Sequence, residues 1–187
     1  NRFGAHLPLM VGPAVAAAGF ALFALPGLSG NYWTSFFPAV IVLGLGMAIT
    51  VAPLTTTVMD SVSEEQAGTA SGINNAVSRT AGLLAIAVFG VVILHTFSHQ
   101  LTVRLSQSGI DQQLQKSVLE QRVRLAGLEV PKTGDAATEE SVKKIVAGSF
   151  VSGFRLLMLL SAALAVASAL SSWLLIGATR PADSRQR

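Results

Sequence analysis

There is no cysteine in this sequence. That excludes a disulfide framework and a thiolate metal site, and it leaves the redox compartment unreadable from cysteine usage. Charge is also scarce: Asp, Glu, Lys and Arg make up 12% of the 187 residues, against about a quarter in an ordinary soluble domain. A net charge of +3 carried by clustered residues gives little support to a nucleic-acid partner. The opening lacks the basic region and small-residue cleavage site of a signal peptide. It starts at Asn1 rather than Met, so the chain is expected to be a fragment of something longer. What is present is hydrophobicity, at 51% of residues with a positive mean hydropathy, and that points to a membrane protein.

Four apolar runs, about 7–25, 36–59, 72–94 and 148–177, are each near the ~20 residues that cross ~30 Å of hydrocarbon as a helix. Backbone groups in lipid must be satisfied internally, and the runs are too long for barrel strands. The expected fold class is therefore an all-α membrane protein with four transmembrane helices. Residues 1–95 hold three of them with short loops, and 178–187 form a polar tail. Tyr32, Trp33 and Trp173 suit the water boundary.

Between the third and fourth runs, residues 96–147 are polar. Ile110, Leu114, Val118, Leu125 and Leu128 fall on one side of a helical wheel. Thr138, followed by Glu139 and Glu140, reads as a new helix start with acids near the positive end of the dipole. Two readings stand: a cap or partner surface over the membrane face, or a solvated, partly helical connector lying on the headgroups, which the near balance of charge favours. Orientation is contested. Arg104, Lys116, Arg122, Arg124, Lys132, Lys143 and Lys144 lie in this stretch, and counting basic residues alone would make it cytoplasmic. The opposite, extracytoplasmic placement is adopted, because a loop of this length begins to escape that rule and earlier helices would already have set the topology.

The third run carries most of the polar signal. Ser61 with Glu64, and Ser63 with Gln66, have capping-box spacing ahead of it. Gly68, Gly72 and Ala76 follow at four-residue intervals, a small-xxx-small stripe that lets another backbone approach closely. Asn74, Asn75, Ser78 and Arg79 form a polar cluster, with Asn75 and Arg79 neighbours at i,i+4. Arg79 lies roughly 10 Å past the expected membrane entry at 1.5 Å per residue, which costs a few kcal/mol unless it snorkels, pairs or meets water. Either it snorkels while the asparagines bond a neighbouring helix, or the cluster faces a water-filled cavity or a moving interface. No Asp or Glu lies within the four runs, so any acidic partner of Arg79 is expected elsewhere in the protein.

In the second run, Gly44 and Gly46 weaken the helix and Pro53 interrupts its hydrogen bonding, while Thr55, Thr56 and Thr57 are placed to bond the carbonyls that proline frees. The result is a kink for packing or a bend that gates. The first and fourth runs, with few polar side chains in their middles, read as lipid-facing. His95 and His99 have the i,i+4 spacing of two zinc ligands, but "HTFSH" lacks the glutamate of H-E-x-x-H and no acid completes the set. No metal or other cofactor is expected. There is no Walker motif and no Ser-His-Asp arrangement, so neither ATP-driven transport nor enzymatic hydrolysis has support.

The stretch "DSVSEEQAGTASGINNAVSRTAGLLAIAVFGVVIL" resembles the penultimate helix of major facilitator superfamily transporters of the fourteen-helix drug:proton antiporter family. The opening "NRFG" is similar to the tail of the superfamily loop motif G-x-x-x-D-R-x-G-R, with Arg2 and Gly4 matching but Asn1 and Ala5 departing from it. The resemblance implies that the four runs are helices eleven to fourteen of a bundle of two six-helix halves with two helices between them. The second run would line the central cavity, and the third would sit where the halves rock. It further implies proton-coupled export of lipophilic or drug-like small molecules, with the missing N-terminal helices and membrane lipid as partners and the coupling carboxylate in the missing part. The expected location is the cytoplasmic membrane of a bacterial cell, as a multi-pass protein. The alternative is a small four-span membrane scaffold or assembly subunit without transport activity.

Overall fold

The computed structural model describes residues 6–28, 31–60 and 62–177. Arg2, Gly4, Ser61 and the polar tail 178–187 lie outside the described residues. Among the described residues there are five α-helices: α1 (His6–Phe23), α2 (Phe37–Asp60), α3 (Ala67–Gln107), α4 (Gln112–Glu120) and α5 (Ala136–Gly177). A π-helical turn at Tyr32–Phe36 leads into α2, and a 3₁₀ turn at Glu64–Gln66 leads into α3. No strand occurs among the described residues. With the apolar segments of α2, α3 and α5 each long enough to cross a bilayer, this is an all-α membrane protein.

The chain divides into two compact units. The first comprises Asn1–Leu25, Asn31–Ala81 and Met158–Arg187; the second comprises Pro26–Gly30 and Gly82–Leu157.

In the first unit α1 packs along α2 through small residues. Leu9, Gly12, Ala16 and Gly19 recur at helical spacing on the buried side of α1. A Cβ on Gly19 would stand 2.7 Å from the Leu43 Cα, and one on Gly46 would stand 2.7 Å from the Ala16 Cα. Real Cβ atoms do not come so near, so these backbones meet at a distance only glycine permits. At the start of α2, the Asn31 side chain accepts from the Trp33 N–H at 3.0 Å. Tyr32, Trp33 and Phe37 stack edge to face with centroids 5.7 and 5.2 Å apart, an aromatic cluster of the kind that sits at headgroup level.

The second unit is built differently. α3 and α5 continue past their apolar runs, and α4 packs against these extensions. Phe97, Leu101, Leu105, Val118 and Val142 are fully buried, with Leu128 and Val146 nearly so. The apolar wheel positions Ile110, Leu114, Val118, Leu125 and Leu128 converge on this core. Residues 96–147 enclose a hydrophobic core of their own. Helix outruns hydrophobicity here because leaving lipid does not break a helix, and no proline or glycine interrupts 91–107.

The start of α5 also differs from expectation. Asp135, not Thr138, is the cap. Its carboxylate accepts from the Ala137 N–H at 3.1 Å and the Thr138 N–H at 3.2 Å, and the Thr138 hydroxyl donates to it as well. Asp and Thr are both good caps; Asp135 reaches more donors and draws Thr138 into its service. The Thr138 hydroxyl first, then the Ala137 N–H, hold the Asp135 carboxyl below its ordinary 3.8. Upstream of α3 the Ser63–Gln66 spacing is not used: Ser63 precedes the 3₁₀ turn without a side-chain cap bond.

Truncating Phe97 to Ala is expected to cost the second unit about 3–5 kcal/mol, read as a lowered denaturation midpoint with the amides of 97–149 losing exchange protection together. A carboxyl whose folded pKa is depressed stabilises above its unfolded pKa and loses that contribution as pH falls through the folded one. Exchange protection in the first turn of α5 should therefore hold above pH 3.8 and decline below it, and Asp135→Asn should flatten that dependence.

Candidate functional site

The polar cluster lies in the first unit, within the first turns of α3. Asn74 is half-buried, while Asn75, Ser78 and Arg79 are exposed. Gly68, Gly72, Asn75, Ala76 and Arg79 fall within roughly 100° of arc at 3.6 residues per turn. Asn75 and Arg79 thus share a face with the stripe, while Ser78 and Asn74 lie roughly 110° and 150° from its centre. Among the described residues the stripe's two glycines meet no close neighbour: a Cβ on Gly68 or Gly72 would find nothing within 4 Å. Among the described residues, Arg79 forms no ion pair. In the first unit, glycines make a close contact at the α1–α2 seam, at Gly12, Gly19 and Gly46, where Gly46 meets Ala16. Gly44, two residues away on α2, faces open space.

Around Pro53, α2 remains continuous. The Thr57 hydroxyl donates to the Pro53 carbonyl at 2.8 Å, and the Thr55 hydroxyl donates to Val51 at 3.1 Å. Thr56 donates to Pro53 at 3.0 Å. The carbonyl that Pro53 deprives of its α-helical donor is that of Ile49, four residues earlier. The threonines do not bond it. A hydroxyl on a helix reaches back three or four residues, so relief of Ile49 would need a hydroxyl at 52 or 53, where alanine and proline stand. The threonines instead thicken the hydrogen bonding just beyond the gap. On the other side, the Thr50 hydroxyl donates to Gly46 at 2.7 Å, next to the point where α1 comes closest.

Two grooves test the alternatives for a binding site. One, of about 510 Å³ in the first unit, is lined by Met10, Val11, Ala14, Val15, Val166 and Leu170 among others, all apolar. A ligand site needs some polar groups to orient its occupant, and these walls supply no side chain of that kind. The other, of about 490 Å³ in the second unit, is polar, with Ser108, Asp111, Thr133, Asp135 and Ser141 on its wall. Both carboxylates are already engaged, Asp111 capping α4 through the Gln113 and Leu114 N–H groups and Asp135 capping α5. His95 and His99 are exposed on α3, and among the described residues no three metal-ligating side chains group together.

Sequence reasoning passed over Arg155. It stands inside the fourth apolar run and donates to the Pro26 carbonyl at 3.3 Å across 129 residues of sequence. A lone ionisable side chain in an apolar segment was the available signal. Arg104 is a second case: it lies against Gly148 and donates to the Ser152 hydroxyl at 3.1 Å, holding α3 to α5 where Gly153 faces Ile93.

Among known proteins, the sequence profile of the Major Facilitator Superfamily matches residues 1–95. The tetracenomycin C resistance and export protein of Streptomyces glaucescens is 24% identical over 172 residues, covering 90% of this chain and 32% of that protein. The chain thus spans less than half the length of that relative. No solved structure gives a significant match.

Gly46→Val is expected to separate α1 from α2, an overpacking penalty of about 1–3 kcal/mol that lowers the unfolding midpoint of the chain in detergent. Gly72→Val, on the open face of α3, should leave that midpoint unchanged.

Proposed function

The chain belongs to the major facilitator superfamily, and on that footing we propose that it forms the C-terminal part of a secondary active transporter that works by alternating access. The observation that carries this reading is the family match across α1, α2 and the first part of α3. The finer proposal is proton-coupled export of lipophilic or drug-like compounds across the cytoplasmic membrane of a bacterial cell. The Streptomyces relative, named for resistance and export, supports the direction and the class of substrate.

In this proposal α2 lines the cavity and bends where Pro53 removes a rung of its ladder, with Gly44 adding compliance and Thr55 and Thr56 steadying the segment beyond. The face of α3 bearing Gly68, Gly72, Asn75, Ala76 and Arg79 is the surface on which the other half of the transporter moves. Its openness in this chain supports that assignment, since a guanidinium roughly 10 Å inside the membrane is tolerated where it meets water or a partner. Asn74 and Ser78, turned away from that face, offer hydrogen bonds to a different neighbouring helix. Because no Asp or Glu falls within the four apolar runs, the proton-carrying carboxylate is assigned to the remaining helices.

Arg79→Gln in the complete transporter is expected to reduce drug efflux at least about tenfold, equivalent to ~1.4 kcal/mol on the rate-limiting barrier, at unchanged surface expression. Unchanged efflux would sink the functional role of Arg79 and leave it as a snorkelling side chain.

A further inference from the structure

The segment between α4 and α5 has a construction that the transport reading leaves unused. Gln121 closes residues 121–129 into a loop: its side-chain carbonyl accepts from the Glu129 N–H at 3.2 Å, and its amide donates to the Glu129 carbonyl at 3.1 Å. Within the loop, Leu125 adopts φ 52° and ψ −127°, a conformation that costs a side-chain-bearing residue about 1–3 kcal/mol. Leu125 nonetheless packs against the core of the second unit, so the strained backbone faces one side chain inward. The residues before it face outward. Val123 is 71% exposed and is flanked by Arg122 and Arg124, both exposed.

Helix lengths place this loop. From the end of the apolar run at Leu94, α3 continues 13 residues to Gln107, about 20 Å at 1.5 Å per residue. Before Phe150, α5 supplies an arm of matching length from Ala136. The distal ends of both arms and the start of α4 line one groove through Ser108, Asp111, Asp135 and Ser141. Val118 of α4 is buried in the core with Leu101, Leu105, Val142 and Val146, so α4 runs back along the arms toward the membrane. Nine residues of α4 can recover up to about 13 Å of that arm, which brings the loop within reach of the headgroup layer.

We propose that the clamped loop carrying Arg122, Val123 and Arg124 docks on anionic phospholipid headgroups of the adjacent leaflet. Charge complementarity favours lipid as the occupant. Between Lys116 and Lys132 there are four basic and two acidic residues, a net +2. The single local ion pair, Arg124 with Glu129 at 3.9 Å, has both side chains more than half exposed, so it is a weak competitor for a phosphate. An exposed valine between two arginines suits a surface with an apolar edge beneath an anionic layer.

Because the chain has no cysteine, Val123→Cys gives one nitroxide site, and Gln112→Cys gives a control at the distal end of α4. The full chain is placed in discs of phosphatidylcholine alone or phosphatidylcholine with phosphatidylglycerol, and accessibility to a water-soluble relaxant is measured. The label at 123 is expected to become shielded only with phosphatidylglycerol, the two arginines shifting the docked population at least about tenfold. High salt and the R122Q/R124Q pair should abolish the shielding, and the label at 112 should stay accessible throughout. Accessibility at 123 that is equal in both discs overturns the proposal, whether the site is open in both or shielded in both, the latter meaning that protein covers it. The experiment reads docking alone, so its failure leaves the transport reading intact.

Discussion

A backbone amide in hydrocarbon can bond only to its own chain or to another protein group, and every helix here answers to that constraint. It explains why apolar runs that could each have been buried strands in water are helices, and why the interruptions matter so much. Pro53 removes one donor from α2, and hydroxyls follow it closely. Arg155, with five N–H groups to satisfy, reaches the Pro26 carbonyl.

The apolar runs and the helical arms beyond them are held by different forces because they meet different solvents. Lipid tails are as apolar as leucine, so burying leucine between α1 and α2 would gain little; atomic contact is what remains, and glycines at 12, 19 and 46 bring the backbones near enough for it. Leu83, Ile86 and Val91 on α3 are accordingly left exposed. Beyond the apolar runs, water restores the hydrophobic driving force. There the same α3 and α5 turn large side chains inward, and Phe97, Leu101 and Leu105 disappear from the surface. One continuous helix thus changes its packing logic partway along without a break in its hydrogen bonding.

Much of this was legible in the sequence, because hydrophobic length is read directly from composition and the polar cluster at Asn74 to Arg79 stands out against it. The apolar stripe through Leu114, Val118 and Leu128 was equally visible, but a stripe does not say whether it covers a core or lies on a bilayer. Only the length of the α3 and α5 arms decides that, and helix ends in water are set by caps rather than hydropathy. Asp135 and Thr138 illustrate the difficulty: both are good caps three residues apart, and the choice depends on which side chain reaches more donors. The stripe Gly68, Gly72, Ala76 and the seam Gly12, Gly19, Gly46 are alike in composition. Spacing identifies a surface that permits close approach without naming the helix that approaches. Arg155 was overlooked because its neighbours are so apolar that the run reads through it.

The α1–α2 seam has an evolutionary corollary. At Gly19 and Gly46 even alanine is too large, so selection for the fold of this chain alone suffices to keep those positions fixed. No described residue restrains Gly68 or Gly72 in the same way. Were those two positions found unchanging across distant relatives, the pressure on them would come from contacts other than those described, and the pattern of drift along α3 would then record the outline of a further neighbour.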